Sequence, residues 1–547
     1  MGEVRVMETN HHRELFEAMA DPVFYPHAAE LIEQRETHIS KVFLVGEYAY
    51  KVKKPFDLGF LDFTTLEKRR HFCQQEIILN RRLAHDIYMD VVPITFEEGR
   101  YHLNGRGTPV EYALKMRRLS DEDSMKSLLR KRRIRNSHLK SLALLLADFY
   151  NRASECEEID STEVWENVRK NCDENFIQTE QFTYEPLESH ISQTEPVTGK
   201  IVDGRLLKIV RCTMAGFLFR KQILFDNRAK GGKIKDCHGD LKTEHIYFTE
   251  NNGIQIIDCI EFNERFRFQD IASDLAFLAM DMDFEGCHDL ASILLSYYVQ
   301  HADDPGIFIL LDFYKCYRAM VRCKVNCFRL NGNDIDRLER EVIMSAAKSY
   351  LDLAYGYALK FARPKLFVVC GMQASGKSTI ARELGKLMGI ELLSSDLIRK
   401  ALCKINTHDS LVNQFEEGIY SKSITNLTYG RMLLKAQETL EAGSSVILDA
   451  TFTKKHLRDQ AVLLAGDMDA TILFIECHAD KRLLKKRLIL RESTPSVSDA
   501  RITHFEQFIS QLEPLDEIDE MVHIRVDTGK SVKECMQHIL SEAYLKA

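Results

Sequence analysis

The chain has 547 residues, with 74 Lys+Arg against 82 Asp+Glu (net charge −8), 45% hydrophobic and 29% charged residues. This balance excludes a chain disordered throughout and a basic nucleic-acid coat protein, and only 11 prolines leave room for long unbroken helices. No stretch approaches 18 consecutive apolar residues, and the polar start Met1–His12 lacks the apolar core of a signal peptide, so no membrane span or leader is expected. The 14 cysteines are scattered without a Cys-x-x-Cys pair, which reads as buried, reduced thiol in a cytoplasmic protein.

In chain order, Val42–Val45 and Tyr48–Val52 are β-rich runs around Gly46. Residues 64–84 carry a helical pattern, and Pro109–Met116 is strand-like again. From about 120 to 225 the pattern is mainly helical, and its basic run Arg130–Arg135 reads as a solvated face. Residues 236–260 switch to strands around Asn252-Gly253, a hairpin signal. Helix resumes from 271 to about 360, with Phe313, Tyr317 and Met320 on a core-facing side and Arg318 and Arg322 on another, within reach of an anionic acceptor. Arg363-Pro364 interrupts this pattern. Lys365–Cys370 then reads as a buried strand followed by a glycine loop and a helix, and Ile390–Leu393, Val446–Leu448 and Thr471–Ile475 repeat the apolar strand pattern of a parallel sheet. The expected domains are 1–360 and 361–547.

Two groups of residues carry chemistry. In the first, His238-Gly239-Asp240 precedes the hairpin and Asp258 closes it, so two carboxylates converge on one end of a small sheet. One of them, Asp240, can orient and deprotonate a hydroxyl; the other, Asp258, can hold Mg²⁺ on the phosphates of ATP. Lys51 is placed for those phosphates, with Glu76 on the next helix as its ion-pair partner; Lys53 shares the face by period two and is a rival. In the second group, Gly371-Met-Gln-Ala-Ser-Gly-Lys-Ser378 fits G-x-x-x-x-G-K-[ST] between a strand and a helix. Gly371, Ser375, Gly376, Lys377, Ser378 and the adjoining Thr379 would cradle phosphates at a helix N-terminus, with the Ser378 hydroxyl on Mg²⁺. Asp396 can accept a proton from an acceptor and Arg399, one turn on, can hold an acceptor phosphate; Asp449, at the end of its strand, is expected at the Mg²⁺ site. Arg487 and Arg491 share a helix face that can close over ATP.

The second group resembles the small P-loop kinases related to polynucleotide kinase and zeta toxin, over roughly 364–530. The chain as a whole resembles two-part bacterial proteins, the bifunctional aminoglycoside phosphotransferase/ATP-binding proteins. That likeness rests on Lys51-Val-Lys-Lys-Pro55, Gly59-Phe-Leu-Asp62, Leu79-Asn-Arg-Arg-Leu83, Asp258-Cys-Ile-Glu-Phe262, Asp270, Asp274-Leu-Ala and Tyr317-Arg-Ala. It implies an α+β protein-kinase-like (aminoglycoside phosphotransferase-like) bilobed domain followed by an α/β P-loop NTPase domain with a parallel sheet. It also implies ATP, Mg²⁺ and a small-molecule hydroxyl acceptor, with His238 and Asp240 in the catalytic loop. Two departures stand out. The asparagine usual five residues after the catalytic Asp, a second metal ligand, is His245 here, preceded by Glu244; a neutral imidazole can ligate a metal and Glu244 could substitute, although Mg²⁺ prefers oxygen. The nucleotide loop near 38–48 has the single glycine Gly46. A nucleotide-sensing first domain that regulates the second, and a nucleic-acid 5′-hydroxyl as acceptor, are the alternative readings.

Overall fold

The computed structural model describes residues 10–27, 31–37, 39–57, 59, 61–155, 161–184, 200–250, 253–330, 335–406, 418–492, 502–510 and 512–546. They fall into two compact units, one made of 1–204, 228–302 and 317–351, the other of 205–227, 303–316 and 352–547. Residue 360, the boundary expected from the sequence, lies within the helix Arg337–Ala362. No helix among the described residues is long and apolar enough to cross a membrane, and no disulfide joins the described cysteines.

After the helix Asn10–Met19, the first unit holds six antiparallel strands: β1 (Ile32–Glu36), β2 (Ser40–Val45), β3 (Tyr48–Lys53), β4 (Tyr88–Glu97), β5 (Arg100–Leu103) and β6 (Pro109–Arg117), in the order β1-β2-β3-β6-β4-β5. Alternation along β3 divides its side chains. Tyr50 and Val52 join Leu15, Phe16 and Met19 in one core, whereas Lys51 and Lys53 face the helix α1 (Leu66–Asn80). Thr65 caps α1 by accepting from the Lys68 N–H, and its buried residues Arg69, Cys73, Glu76 and Asn80 recur at helical spacing. Gly46 lies in the two-residue turn between β2 and β3, where Val45 pairs with Tyr48. The connection between β1 and β2 is residues 37–39, which contain no glycine.

Beyond a helical stretch, β7 (Ile246–Thr249) and β8 (Gly253–Ile256) form the expected hairpin; Asn252 lies outside the described residues. Helix α2 (Ile271–Phe284) is buried at every residue from Ile271 to Asp283, as a core helix must be. An antiparallel sheet with one helix carrying the lysine partner, then a loop and hairpin backed by helices, is the protein-kinase-like plan.

The second unit holds a five-stranded parallel sheet of β9 (Lys365–Cys370), β10 (Glu391–Ser394), β11 (Val446–Asp449), β12 (Thr471–His478) and β13 (His523–Asp527). Its order is β10-β11-β9-β12-β13, with β9 in the middle. Helices α3 (Lys377–Met388), α4 (Ser395–Leu402) and α5 (Lys481–Glu492) follow β9, β10 and β12. This is the α/β P-loop plan, and it brings the loops after β9, β10 and β11 to the carboxyl edge of the sheet.

Candidate active sites

In the first unit, Lys51 Nζ stands 2.8 Å from Glu76 Oε1 and 2.7 Å from Asp258 Oδ1. Lys53 Nζ lies 2.6 Å from Glu76 Oε2 and also bonds Glu261. Lys51 therefore faces the hairpin carboxylate, and Lys53 is spent holding Glu76 and Glu261 in place. Burial opposes charge on Asp258, yet Lys51 outweighs it and keeps the carboxyl below its ordinary range. Asp258 sits at φ +65, a left-handed conformation held by its N–H donating to the Tyr88 hydroxyl at 3.0 Å.

Asp240 is partly exposed. Lys242 Nζ is 3.1 Å from its Oδ2 and 3.0 Å from Glu244 Oε1. Burial works against the Asp240 carboxylate, but Lys242 holds it ionised, with its proton affinity below normal. Glu244 is tied to Lys242 and to Lys126 at 2.9 Å, so the carboxylate beside His245 is already paired.

His245 Nδ1 is 2.9 Å from the Asp240 carbonyl oxygen. A carbonyl only accepts, so Nδ1 carries the proton and Nε2 presents a lone pair. That Nε2 is 3.5 Å from Asp258 Oδ2. Asp240, His245 and Asp258 can present ligand atoms that all lie within 4.8 Å of one another.

His238, expected among the catalytic residues, proves to be a strut. Its Nε2–H donates to the Ile257 carbonyl at 2.9 Å, and its Nδ1 accepts from the Asp240 N–H at 3.3 Å. Burial pushes the imidazole down to about 4, so it is neutral at pH 7. The N–H groups of His238 and Gly239 donate to Asp274 at 3.0 and 2.9 Å. Gly239 sits at φ +87, a conformation side chains rarely adopt, and a Cβ there would lie tightly at 3.0 Å from Ile260 Cδ1 and 3.1 Å from the Phe266 carbonyl oxygen. Arg318, read as facing an acceptor, instead donates to the carbonyls of Gly239 and Ser273 and buttresses the loop.

Two functional residues escaped the sequence reading. Lys242 was signalled by a lysine two positions after the acid, in register to fold back on it. Asp274 stands out in the sequence only as part of a likeness; its signal is an acid in the first turn of a largely apolar helix that also carries Asp281 and Asp283.

In the second unit the loop 371–376 curls as its motif requires. A Cβ on Gly371, at φ +130, would lie 2.3 Å from the Cys477 carbonyl oxygen, so only glycine fits. Lys377 Nζ rests 3.4 Å from the Met372 carbonyl, inside the loop. Ser378 and Thr379 occupy the first turn of α3. Val369 pairs with Asp449 and Ser394 pairs with Asp449 across the sheet, bringing the loop, Asp396 and Asp449 to one edge. Burial raises the Asp449 carboxyl above its ordinary value, against the pull of Lys377 and a hydrogen bond from Ser378; Asp396 adds to the rise.

Ser375 Oγ, Gln373 Oε1 and Asp449 Oδ1 are buried with no hydrogen-bond partner. Orphaned oxygens beside a loop of this shape fit a phosphate–cation ligand.

Arg399 is buried, with Nη1 donating to the Ile419 carbonyl at 2.9 Å and to Thr425 Oγ1 at 3.1 Å, its guanidinium over the Tyr420 ring and its Nε without a partner. Arg487 donates to the Thr528 carbonyl at 2.7 Å and to the Ala374 carbonyl at 3.3 Å, so it braces the phosphate loop. The Arg491 side chain lies outside the described residues.

Comparison with known proteins adds the following. Residues 366–515 match the family described as AAA domain. The protein Rv2004c of Mycobacterium tuberculosis, itself described as uncharacterized, is 32% identical over 473 residues, 86% of this chain and 88% of that protein. The chain belongs to the family of Rv2004c. Another member, Mb2027c of Mycobacterium bovis, matches with the same identity and coverage. Among solved structures, Plasmodium vivax ethanolamine kinase is similar over 59% of this chain and 81% of its own, at 11% identity and a TM-score of 0.37. The Mycobacterium tuberculosis APS kinase CysC is similar over 33% of this chain and 98% of its own, at 18% identity and a TM-score of 0.26. At TM-scores this low, these likenesses have no bearing on substrate.

Proposed function

We propose that this member of the Rv2004c family is a cytoplasmic, ATP-dependent phosphotransferase with two sites, one in each unit, and that each moves the γ-phosphoryl of ATP to a hydroxyl of a small molecule. The observation that carries this reading is the first unit's charge set: Lys51 bonded to both Glu76 and Asp258, with Asp240 across His245 from Asp258. The likeness to bifunctional aminoglycoside phosphotransferase/ATP-binding proteins agrees with it.

In the first site Asp240 accepts the proton of the attacking hydroxyl. The new O–P bond forms as the bond to the ADP oxygen breaks, and Lys51 holds the phosphates. Asp258 and His245 would hold the cation, which supplies positive charge against the developing negative charge. In the second site the loop N–H groups and Lys377 hold the phosphates, Ser378 and Asp449 would hold Mg²⁺, and Asp396 is the base. The buried Arg399 keeps one free N–H for an acceptor.

The test is transfer from γ-labelled ATP into a metabolite extract, comparing Asp240→Ala, Lys377→Ala and the double variant. Each single variant is expected to lose one set of labelled products and keep the other. If Asp240→Ala keeps every product, the first unit is not a transferase and the regulatory reading takes its place.

A further inference from the structure

We propose that His245 Nε2 is a direct metal ligand, and that it gives the first site a preference for a first-row transition dication such as Mn²⁺ over Mg²⁺. This deepens the reading of that site as a nucleotide site and rests on it.

The argument starts from hydrogen-bond polarity. With Nδ1–H committed to the Asp240 carbonyl at 2.9 Å, Nε2 is a bare lone pair. It faces Asp258 Oδ2 at 3.5 Å, a carboxylate whose other oxygen is bonded by Lys51 at 2.7 Å. Two acceptors aimed at each other repel unless something positive lies between them. A single cation bonded to both at roughly 2.1 Å would set them about 3.0 Å apart at a right angle and about 3.4 Å apart at 110°. The observed separation fits one shared ion.

The hydrogen bond from Nδ1 to a backbone carbonyl is also what fixes a metal-binding imidazole in orientation and tautomer. His245 is tightly held for this task. It is nine-tenths buried, and its own N–H and C=O bond Lys242 and Ile257 at 3.0 Å each. The neighbouring oxygen alternative is closed, because Glu244 is taken by Lys242 and Lys126.

Selectivity follows from donor chemistry. Mg²⁺ is hard, dehydrates reluctantly and favours an all-oxygen shell. A nitrogen donor favours later first-row dications. Among the described residues, the second unit's candidate donors are the oxygens of Ser378 and Asp449, so the two sites of one chain should differ in the cation they prefer.

The experiment uses the full chain with ¹⁵N-labelled histidine, loaded with Mn²⁺ alone and with Mn²⁺ plus a non-hydrolysable ATP analogue. Pulsed electron paramagnetic resonance reads any ¹⁵N coupled to the ion. Wild type should show one coupled histidine nitrogen, and His245→Asn should remove it while lowering Mn²⁺ affinity about tenfold relative to Mg²⁺. Emission of the single tryptophan, Trp165 in the first unit, checks that the variant folds. A wild-type spectrum without histidine coupling, or coupling that survives in His245→Asn, overturns the proposal. Loss of labelled-phosphate transfer in Asp240→Ala is read separately, so failure of the transferase reading is not confused with failure of this one.

Discussion

Glu76 is the residue on which folding and chemistry in the first unit meet. Its carboxylate is fully buried and bridges Lys51 at 2.8 Å and Lys53 at 2.6 Å. Glu76→Gln keeps the shape and deletes the charge. Breaking a buried pair from one side costs about 3–5 kcal/mol, because the partner is left charged and dry. Here each lysine keeps a second carboxylate, Asp258 or Glu261, so the lower end, about 3 kcal/mol, is expected. Burial raises the Glu76 carboxyl, but Lys51 and Lys53 outweigh it and leave the folded value below the ordinary one. An acid lowered in this way contributes fully above its unfolded value of about 4.3 and loses that contribution as pH falls through the folded value. The Gln variant should therefore show a flatter acid limb below pH ~4.3. The chain has a single tryptophan, Trp165, and it belongs to the first unit, so urea unfolding followed by its emission reads that unit alone. A loss under about 1 kcal/mol, or an unchanged acid limb, would refute the claim that this carboxylate is held charged between two ammonium groups.

Three other perturbations follow from the same geometry. Asp274→Asn replaces one acceptor of the His238 and Gly239 N–H groups by a donor. It should lower kcat at the first site about 100-fold by misplacing Asp240, with transfer at the second site unchanged. Gly371→Ala sets a Cβ 2.3 Å from the Cys477 carbonyl oxygen. Calorimetry should then show nucleotide uptake by the second unit abolished, while the Trp165 urea transition stays in place. Burial pushes His238 down to about 4, so below its unfolded value of about 6.5 the unfolded chain binds the extra proton. Stability of the first unit should fall by roughly 3 kcal/mol as pH drops from about 6.5 to about 4, and His238→Gln should flatten that slope. An unchanged slope would place the titration elsewhere.

Local chemistry was the legible part of this chain. The strand Lys365–Cys370 ends where its apolar run ends, and the glycine loop and helix follow in the expected order. The hairpin bringing Asp240 and Asp258 together, and the Lys51–Glu76 pair across 25 residues, were also readable, because each side chain sits at a fixed period on a short element. What escaped was set by distant parts of the chain. Nothing local to 205–227 or 303–316 distinguishes them from the helices around them, yet they group with the second unit. Arg318 and Arg487 were readable only as cations. Their donors in fact go to backbone carbonyls of loops 79 and 113 residues away, as does one ring nitrogen of His238 at closer range. Side chains that hold loops look the same in a sequence as side chains that hold ligands.

The two sites reach their charge balance in opposite ways. In the first, every acid has a resident cation: Asp258 has Lys51, Asp240 has Lys242, and Glu76 has two lysines. Those pairs are preorganised, and on the proposed function a bound cation would take over the acids and leave the lysines to phosphate. In the second, Lys377 rests on a carbonyl of its own loop, and burial holds Asp449 above its ordinary range with one oxygen orphaned. On the proposed function, a bound nucleotide and its cation would complete that site. The first unit's paired charges, Glu76 among them, therefore belong to its folding energy, whereas Asp449 is a carboxyl whose ionised form burial penalises.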